Sequence, residues 1–194
     1  MNLNCLLTGV GGQGTVLASK LIARAGVARG LFARTSETIG MAQRGGSVTS
    51  HVRVGKDVKS AIIPKGTADV MIAFEPSEAV RNLAYLKPHG ACIVASKPVQ
   101  PVTASLGSGG YNSQEMIDFL KANVGTLLVV DGDAMTQKAG NPKTLNVILL
   151  GAALPYLGFE EGEIERAIHE ALPEKIWSVN IKALEIGGQC HADE

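Results

Sequence analysis

Several kinds of protein are excluded by what this sequence lacks. It has three cysteines, Cys5, Cys92 and Cys190, too scattered for a disulfide framework and without the C-x-x-C spacing of a zinc or iron–sulfur site. Its four histidines, His51, His89, His169 and His191, show no metal-ligand spacing, so no metal is assigned. Eighteen basic residues meet eighteen acidic ones, which removes the basic excess expected of a nucleic-acid binder. The start, MNLNCLLTGVGG, has neither the positive n-region of a signal peptide nor an apolar run long enough to cross a bilayer, so the chain reads as cytoplasmic with no membrane partner. Aromatics make up only 4%, against 45% hydrophobic residues, which calls for a core of Val, Ile, Leu and Ala, as in α/β proteins. No Ser/His/Asp spacing, partnered cysteine nucleophile or Walker lysine can be assembled, so the chain lacks a self-contained active site.

Glycine, by contrast, is abundant at 23 residues, and a dense cluster lies near the start. LNCLLTG (residues 3–9) is an apolar run of the kind that forms a buried parallel strand. It leads into Gly9-x-Gly11-x-x-Gly14, after which Leu17, Leu21 and Ala25 recur on one helical face up to a stop at Arg29-Gly30. Strand, glycine turn and helix let a backbone pass close beneath a phosphate while the helix start offers N–H groups and a positive dipole end. Gly12 and Gln13 add a second glycine and an amide that can donate to a phosphate or to a neighbouring polypeptide. The competing reading is that the glycines only let strand and helix pack closely.

A dinucleotide site would next require a second strand carrying an acid for the ribose hydroxyls. Glu37 lies instead in a Ser/Thr stretch that reads as the N-terminus of a short helix rather than the tip of an apolar strand. SVTSHVRVGKDVKSAIIP (residues 47–64), with alternating valines and a Gly55-Lys56-Asp57 turn, predicts a β-hairpin. Alternation then resumes with a strand over 70–74, a helix over 78–86 and a strand over 91–96. A Pro- and Gly-rich loop follows, then a helix with Ser113 as N-cap and a strand in TLLVVDGD. The last third is helical, with a segment at 144–158 apolar almost all round, so buried on most sides or against another subunit. EEGEIERAIHEAL and residues 176–186 supply two more helices. The expected fold is α/β and Rossmann-like, a mostly parallel sheet with an inserted β-hairpin and a helical C-terminal third, in a single domain over 1–194.

A second motif, AQRGGS (residues 42–47), sets Arg44 beside Gly45 and Gly46, where a guanidinium suits bidentate recognition of carboxylate or phosphate, unless the segment is only a turn before the hairpin. Glu75, Asp131 and Asp133 fall at predicted carboxyl ends of strands, where α/β folds place their sites; helix capping is the alternative, above all for Asp133. Asn146 and Asn180 read as buried hydrogen-bonding residues of a structural kind.

Four stretches carry a family resemblance: GVGGQGTVLASKLIARAG, SETIGMAQRGGSVTSHVRVG, ADVMIAFEPSEAVRNLAYLKPHG and NVILLGAALPYLG. Together they resemble the gamma-type subunits of 2-oxoacid:ferredoxin oxidoreductases over most of the chain, and GMAQRGG with VNIKALEIG is most similar to the indolepyruvate branch. The resemblance implies oxidative decarboxylation of a 2-oxoacid to an acyl-CoA with ferredoxin as electron acceptor. The acid would be indolepyruvate or another aryl pyruvate, or alternatively pyruvate, 2-oxoisovalerate or 2-oxoglutarate. It implies a hetro-oligomer in which a larger subunit holds thiamine diphosphate, Mg2+ and iron–sulfur clusters, CoA is a co-substrate, and this chain alone binds no cofactor and is inactive. Gly9, Gly11, Gly12, Gln13, Gly14, Arg44, Gly45 and Gly46 are the matched motif positions, facing CoA or a partner surface. Three rival readings stand beside it. One is an independent NAD(P) oxidoreductase; another is an adenylating enzyme of the ubiquitin-activating type, whose glycine loop GVGGQG also resembles. The last is a non-catalytic scaffold docking through the TLNVILLGAAL helix.

Overall fold

The aliphatic runs assemble around β1 (Asn2–Val10). To one side lie β4 (Ala68–Ala73), β5 (Leu86–Ala95) and β6 (Thr126–Val130), each parallel to its neighbour. To the other, β1 pairs antiparallel with β3 (Ser47–Gly55), and β3 pairs antiparallel with β2 (Phe32–Glu37). The sheet order is therefore β2-β3-β1-β4-β5-β6, and β3 alone runs against the rest. This computed structural model describes residues 1–38, 46–99 and 111–191.

Alternation along the strands divides the core in two. Leu3, Cys5 and Leu7 of β1 point to one face, with Val52, Val54, Val70, Ile72 and Ile93. That face is covered by α1 (Thr15–Ala28), α4 (Gly132–Ala139), α5 (Leu145–Leu157), α6 (Glu161–Ala171) and α7 (Trp177–Gly188). Leu6, Met71, Cys92 and Val94 point to the other, beneath α2 (Pro76–Asn82) and α3 (Ser113–Asn123). Every residue of α5 from Asn146 to Leu154 is buried, because the helix lies on the sheet and α7 crosses over it. At the crossing Gly151 meets the backbone of Leu184 and Gly187 meets that of Ile148, so the two helices touch main chain to main chain. The apolar circumference of α5 is thus satisfied inside the chain, which removes it as a docking surface.

The mostly parallel Rossmann-like sheet is as expected, but the hairpin is made of different strands. β3 ends at Gly55 and no strand follows before Ala68. Both edges of β3 are already taken, by β1 and β2, so residues 58–64 cannot pair back onto it as a hairpin. They are held by side chains instead: Arg34 Nε donates to Val58 O at 3.1 Å, Arg53 to Ser60 O and Ile62 O at 3.2 and 3.3 Å. The hairpin partner of β3 is β2, the stretch read as a helix start; its Ser and Thr residues suit an edge strand with one face on α1 and one in solvent. Glu37 is consequently at a strand tip after all, accepting from Ser19 Oγ of α1 at 3.3 Å. It stands one strand further from β1 than a dinucleotide fold would put it, because β3 intervenes.

Smaller departures have local causes. β6 stops at Val130 because the Asp131 side chain accepts from the N–H groups of Asp133 and Ala134 at 3.1 and 3.0 Å and opens α4, a helix the sequence reading missed. Asp131 is therefore the cap, and Asp133 pairs instead with Lys97 at 2.6 Å. The cap of α3 is Asn112, not Ser113, its Oδ1 accepting from Gln114 N–H at 3.0 Å. The helix expected over 78–86 begins at Pro76 and gives way to a 3-10 turn at Leu83–Tyr85 and then to β5.

Candidate functional site at the carboxyl end of β1

Past Val10 the chain turns through the glycine loop into α1. Gly12 and Gly14 sit at φ of 100° and 86°, in the left-handed region that side chains with a Cβ avoid. Gly14 is also pressed from behind: a Cβ there would come within 2.6 Å of Asn146 Nδ2, which donates to Gly14 O at 3.3 Å. Around Gly12 no described residue comes within 4 Å of where a Cβ would be. Among the described residues no side chain caps α1. Gly11 N–H donates to Gly46 O at 2.9 Å and Gln13 N–H to Val10 O at 3.2 Å, while Leu17 and Ala18 both donate to Gly14 O. Those bonds leave the N–H groups of Gly12, Gly14, Thr15 and Val16 without an acceptor among the described residues. A cluster of unspent amides at a helix start, on an exposed glycine, is what a phosphate or diphosphate oxygen requires.

The two glycine motifs meet through the reversed strand. Because β3 runs antiparallel to β1, its first residue, Ser47, pairs with Val10, and Gly46 lands against Gly11. Arg44 and Gly45 lie outside the described residues. Gln13, expected to point donors outward, is turned inward: its Oε1 accepts from Val10 N–H at 2.7 Å and its Nε2 donates to Phe74 O at 2.9 Å.

Beneath the loop is a network of polar groups that the sequence reading did not bring together, with Thr8, Glu75, Glu78 and Asn82 buried. Thr8 Oγ1 accepts from Asn82 Nδ2 at 2.8 Å. Ser47 Oγ donates to Glu78 at 2.5 Å, and Glu78 also takes Arg81 Nε at 3.1 Å. Glu75, fully buried at the end of β4, caps α2 by accepting from Glu78 N–H at 3.0 Å; it also accepts from Ser77 Oγ and Tyr111 OH. Burial, reinforced by the Glu75 carboxylate, pushes the Tyr111 hydroxyl up, so it stays a donor. Glu75 and Asp131 thus stand at strand ends as foreseen, with their carboxylates committed to helix starts. Asn180 bonds its own helix, Nδ2 to Ile176 O at 2.7 Å, in the structural role expected.

The described arrangement offers donors for an anion. Among the described residues no group of three His, Cys, Asp or Glu side chains is placed to hold a metal ion. Cys5 and Cys92 are buried, and burial pushes the Cys92 thiol up to about 12, which removes it as a nucleophile. Among the described residues no helix is long and apolar enough to cross a membrane.

Comparison with known proteins fixes the family. The profile of the pyruvate ferredoxin/flavodoxin oxidoreductase family matches residues 4–190. The chain belongs to that family. It is 40% identical over 190 residues to Indolepyruvate oxidoreductase subunit IorB of Archaeoglobus fulgidus, covering 96% of this chain and 94% of that one. Among solved structures it resembles the gamma subunit of keto/oxoacid ferredoxin oxidoreductase from Geobacter sulfurreducens, with a TM-score of 0.73, 22% identity and 99% of each chain covered. It also superposes, with a TM-score of 0.74 and 19% identity, on 31% of a chain of 2-oxoglutarate:ferredoxin oxidoreductase from Magnetococcus marinus, a structure with 2-oxoglutarate, coenzyme A and succinyl-CoA bound; all of this chain is covered. The oxidoreductase subunit described here thus has the gamma-subunit fold, and its glycine loop stands in a family of multi-subunit enzymes.

Proposed function

We propose that this chain is the gamma-type subunit, one domain over 1–194, of a cytoplasmic 2-oxoacid:ferredoxin oxidoreductase, and that its glycine loop receives the diphosphate of CoA. The substrate is indolepyruvate or another aryl pyruvate, and the products are acyl-CoA, carbon dioxide and reduced ferredoxin. Similarity along the whole chain to an indolepyruvate oxidoreductase subunit supports the substrate class. The observation that carries the role of the loop is the group of amides at Gly12, Gly14, Thr15 and Val16, open to solvent at Gly12 and walled by Gly46. Thiamine diphosphate, Mg2+ and the iron–sulfur clusters belong to the larger partner subunit, where the cofactor supplies the decarboxylation chemistry. The contribution of this chain is to bind and orient: its amides grip the diphosphate, and Arg44, beside Gly45 and Gly46, supplies a guanidinium for a further anionic oxygen.

Reconstitution tests this. The chain is assayed for indolepyruvate- and CoA-dependent reduction of a viologen dye, with and without its larger subunit. Activity only in the mixture, with Arg44→Ala raising the KM for CoA, is expected. Nucleotide-dependent activity from this chain alone would refute the subunit reading, and an unchanged KM would remove Arg44 from the site.

A further inference from the structure

Gln13 is the residue whose placement departs furthest from expectation. Its amide spans the ends of two adjacent parallel strands, taking the N–H of Val10, the last residue of β1, and giving to the carbonyl of Phe74, just past β4. The orientation of the amide is fixed by its partners, since Val10 N–H can only donate and Phe74 O can only accept. Glutamate lacks the donor, lysine the acceptor and asparagine the reach. Gly9 reports the same constraint from the other side: a Cβ there would lie 2.7 Å from Gln13 Oε1 and 2.8 Å from Phe74 Cβ. The Phe74 end is itself anchored, its N–H donating to Thr8 O at 2.8 Å and its side chain fully buried.

We infer that Gln13 is a positioning residue rather than a ligand contact: it ties the glycine loop to the end of β4 and thereby sets the direction in which the Gly12, Gly14 and Thr15 amides point. Its effect on binding rests on the reading that this loop receives CoA. An amide spent on two internal bonds gives the loop one shape before ligand arrives, and a preformed loop binds more tightly than one that must be ordered.

The test is made on the assembled complex with its larger subunit, using Gln13→Met, which keeps length and removes both bonds without adding charge. Two readouts are taken: deuterium exchange at the Val10 amide without CoA, and steady-state kinetics with CoA and indolepyruvate. Faster Val10 exchange is expected, together with a KM for CoA raised about tenfold and a smaller change in kcat. Gly9→Ala, which presses on the same bridge with Gln13 present, is expected to do likewise and decides the matter if Gln13→Met does not assemble. Unchanged Val10 exchange overturns the positioning role, and with a raised KM it makes Gln13 a direct contact of CoA. Faster exchange with an unchanged KM overturns the inference at its other end: the bridge exists, but the loop does not serve CoA.

Discussion

The contact between α5 and α7 can be tested with a single methyl group. Gly187 lies where the two helices cross, and a Cβ on it would come within 2.0 Å of Ile148 O and 2.9 Å of Ala152 N, both main-chain atoms that cannot rotate away. Ordinary contact begins near 3.4 Å, so Gly187→Ala must drive the helices apart by more than 1 Å along a buried face. Overpacking of this kind costs ~1–3 kcal/mol, and a clash with main chain belongs at the upper end. Alanine returns ~1 kcal/mol through its better helix propensity. The net loss is about 2 kcal/mol, which in a domain of this size lowers Tm by about 4–8 °C. Thermal unfolding of the full chain by far-UV circular dichroism reads this directly, with Gly188→Ala as the control: it is the next residue of the same helix, and its Cβ would meet no described residue within 4 Å. The reasoning fails if Gly187→Ala melts at or above the wild-type temperature, since propensity would then be acting without opposition.

Two further outcomes follow from the outer contacts. Arg29 joins the end of α1 to the start of α6 through a bidentate pair with Glu163, a hydrogen bond to Gly158 O at 2.8 Å and a stack on Phe159 at 5.0 Å. Arg29→Ala should lower Tm by about 3 °C, a cost of about 1 kcal/mol for a pair still open to solvent, and Arg29→Lys should recover only part; no change in either would deny the pair a role. His51 sits beside Tyr85 and accepts from Ile63 N–H at 3.3 Å, and burial lowers its pKa. The unfolded chain then binds the proton more readily, so this contribution to stability is present above the ordinary histidine value of 6.5 and is lost as pH falls below it. The urea midpoint should drop between about pH 7 and pH 5, and His51→Gln should flatten that slope; an equal slope in the variant would assign the loss to other groups.

What could be read from the chain, and what could not, divides by the range of the interaction. The glycine loop and α1 were legible because Gly9, Gly11, Gly14 and the helical spacing after them are local signals. β2 was not, because its Ser and Thr residues suit a helix start as well as an edge strand, and only pairing with β3 decides. The same pairing displaced the hairpin from residues 47–64, whose turn at Gly55 was read correctly as a strand end but not as the last one before Ala68. α4 was hidden because Asp131 and Gly132 follow an aliphatic run without a break in composition. α5 left open whether its apolar circumference was inside or between subunits, and the answer lay in Gly187, which admits α7. Among the site residues, Gly46 reaches the loop through the pairing of β3 with β1, which no local signal announces, and Gln13 turns inward because its partner Phe74 lies far along the chain. Glu78 and Asn82 gave no signal, as a polar residue on a short helix is ordinarily a solvent-facing one.

The reversal of β3 bears on how such a subunit can change without losing its fold. Both ends of the β2–β3 connection, Thr38 and Gly46, emerge on the rim that carries the glycine loop, because an antiparallel neighbour starts where β1 stops. Substitutions at either of these two ends act on the rim, because Gly46 O holds the Gly11 N–H, and leave the two cores below untouched. Such a subunit can therefore alter the wall of its glycine loop at Thr38 and Gly46 while the strands, the α5–α7 crossing and the Gln13 bridge stay as they are.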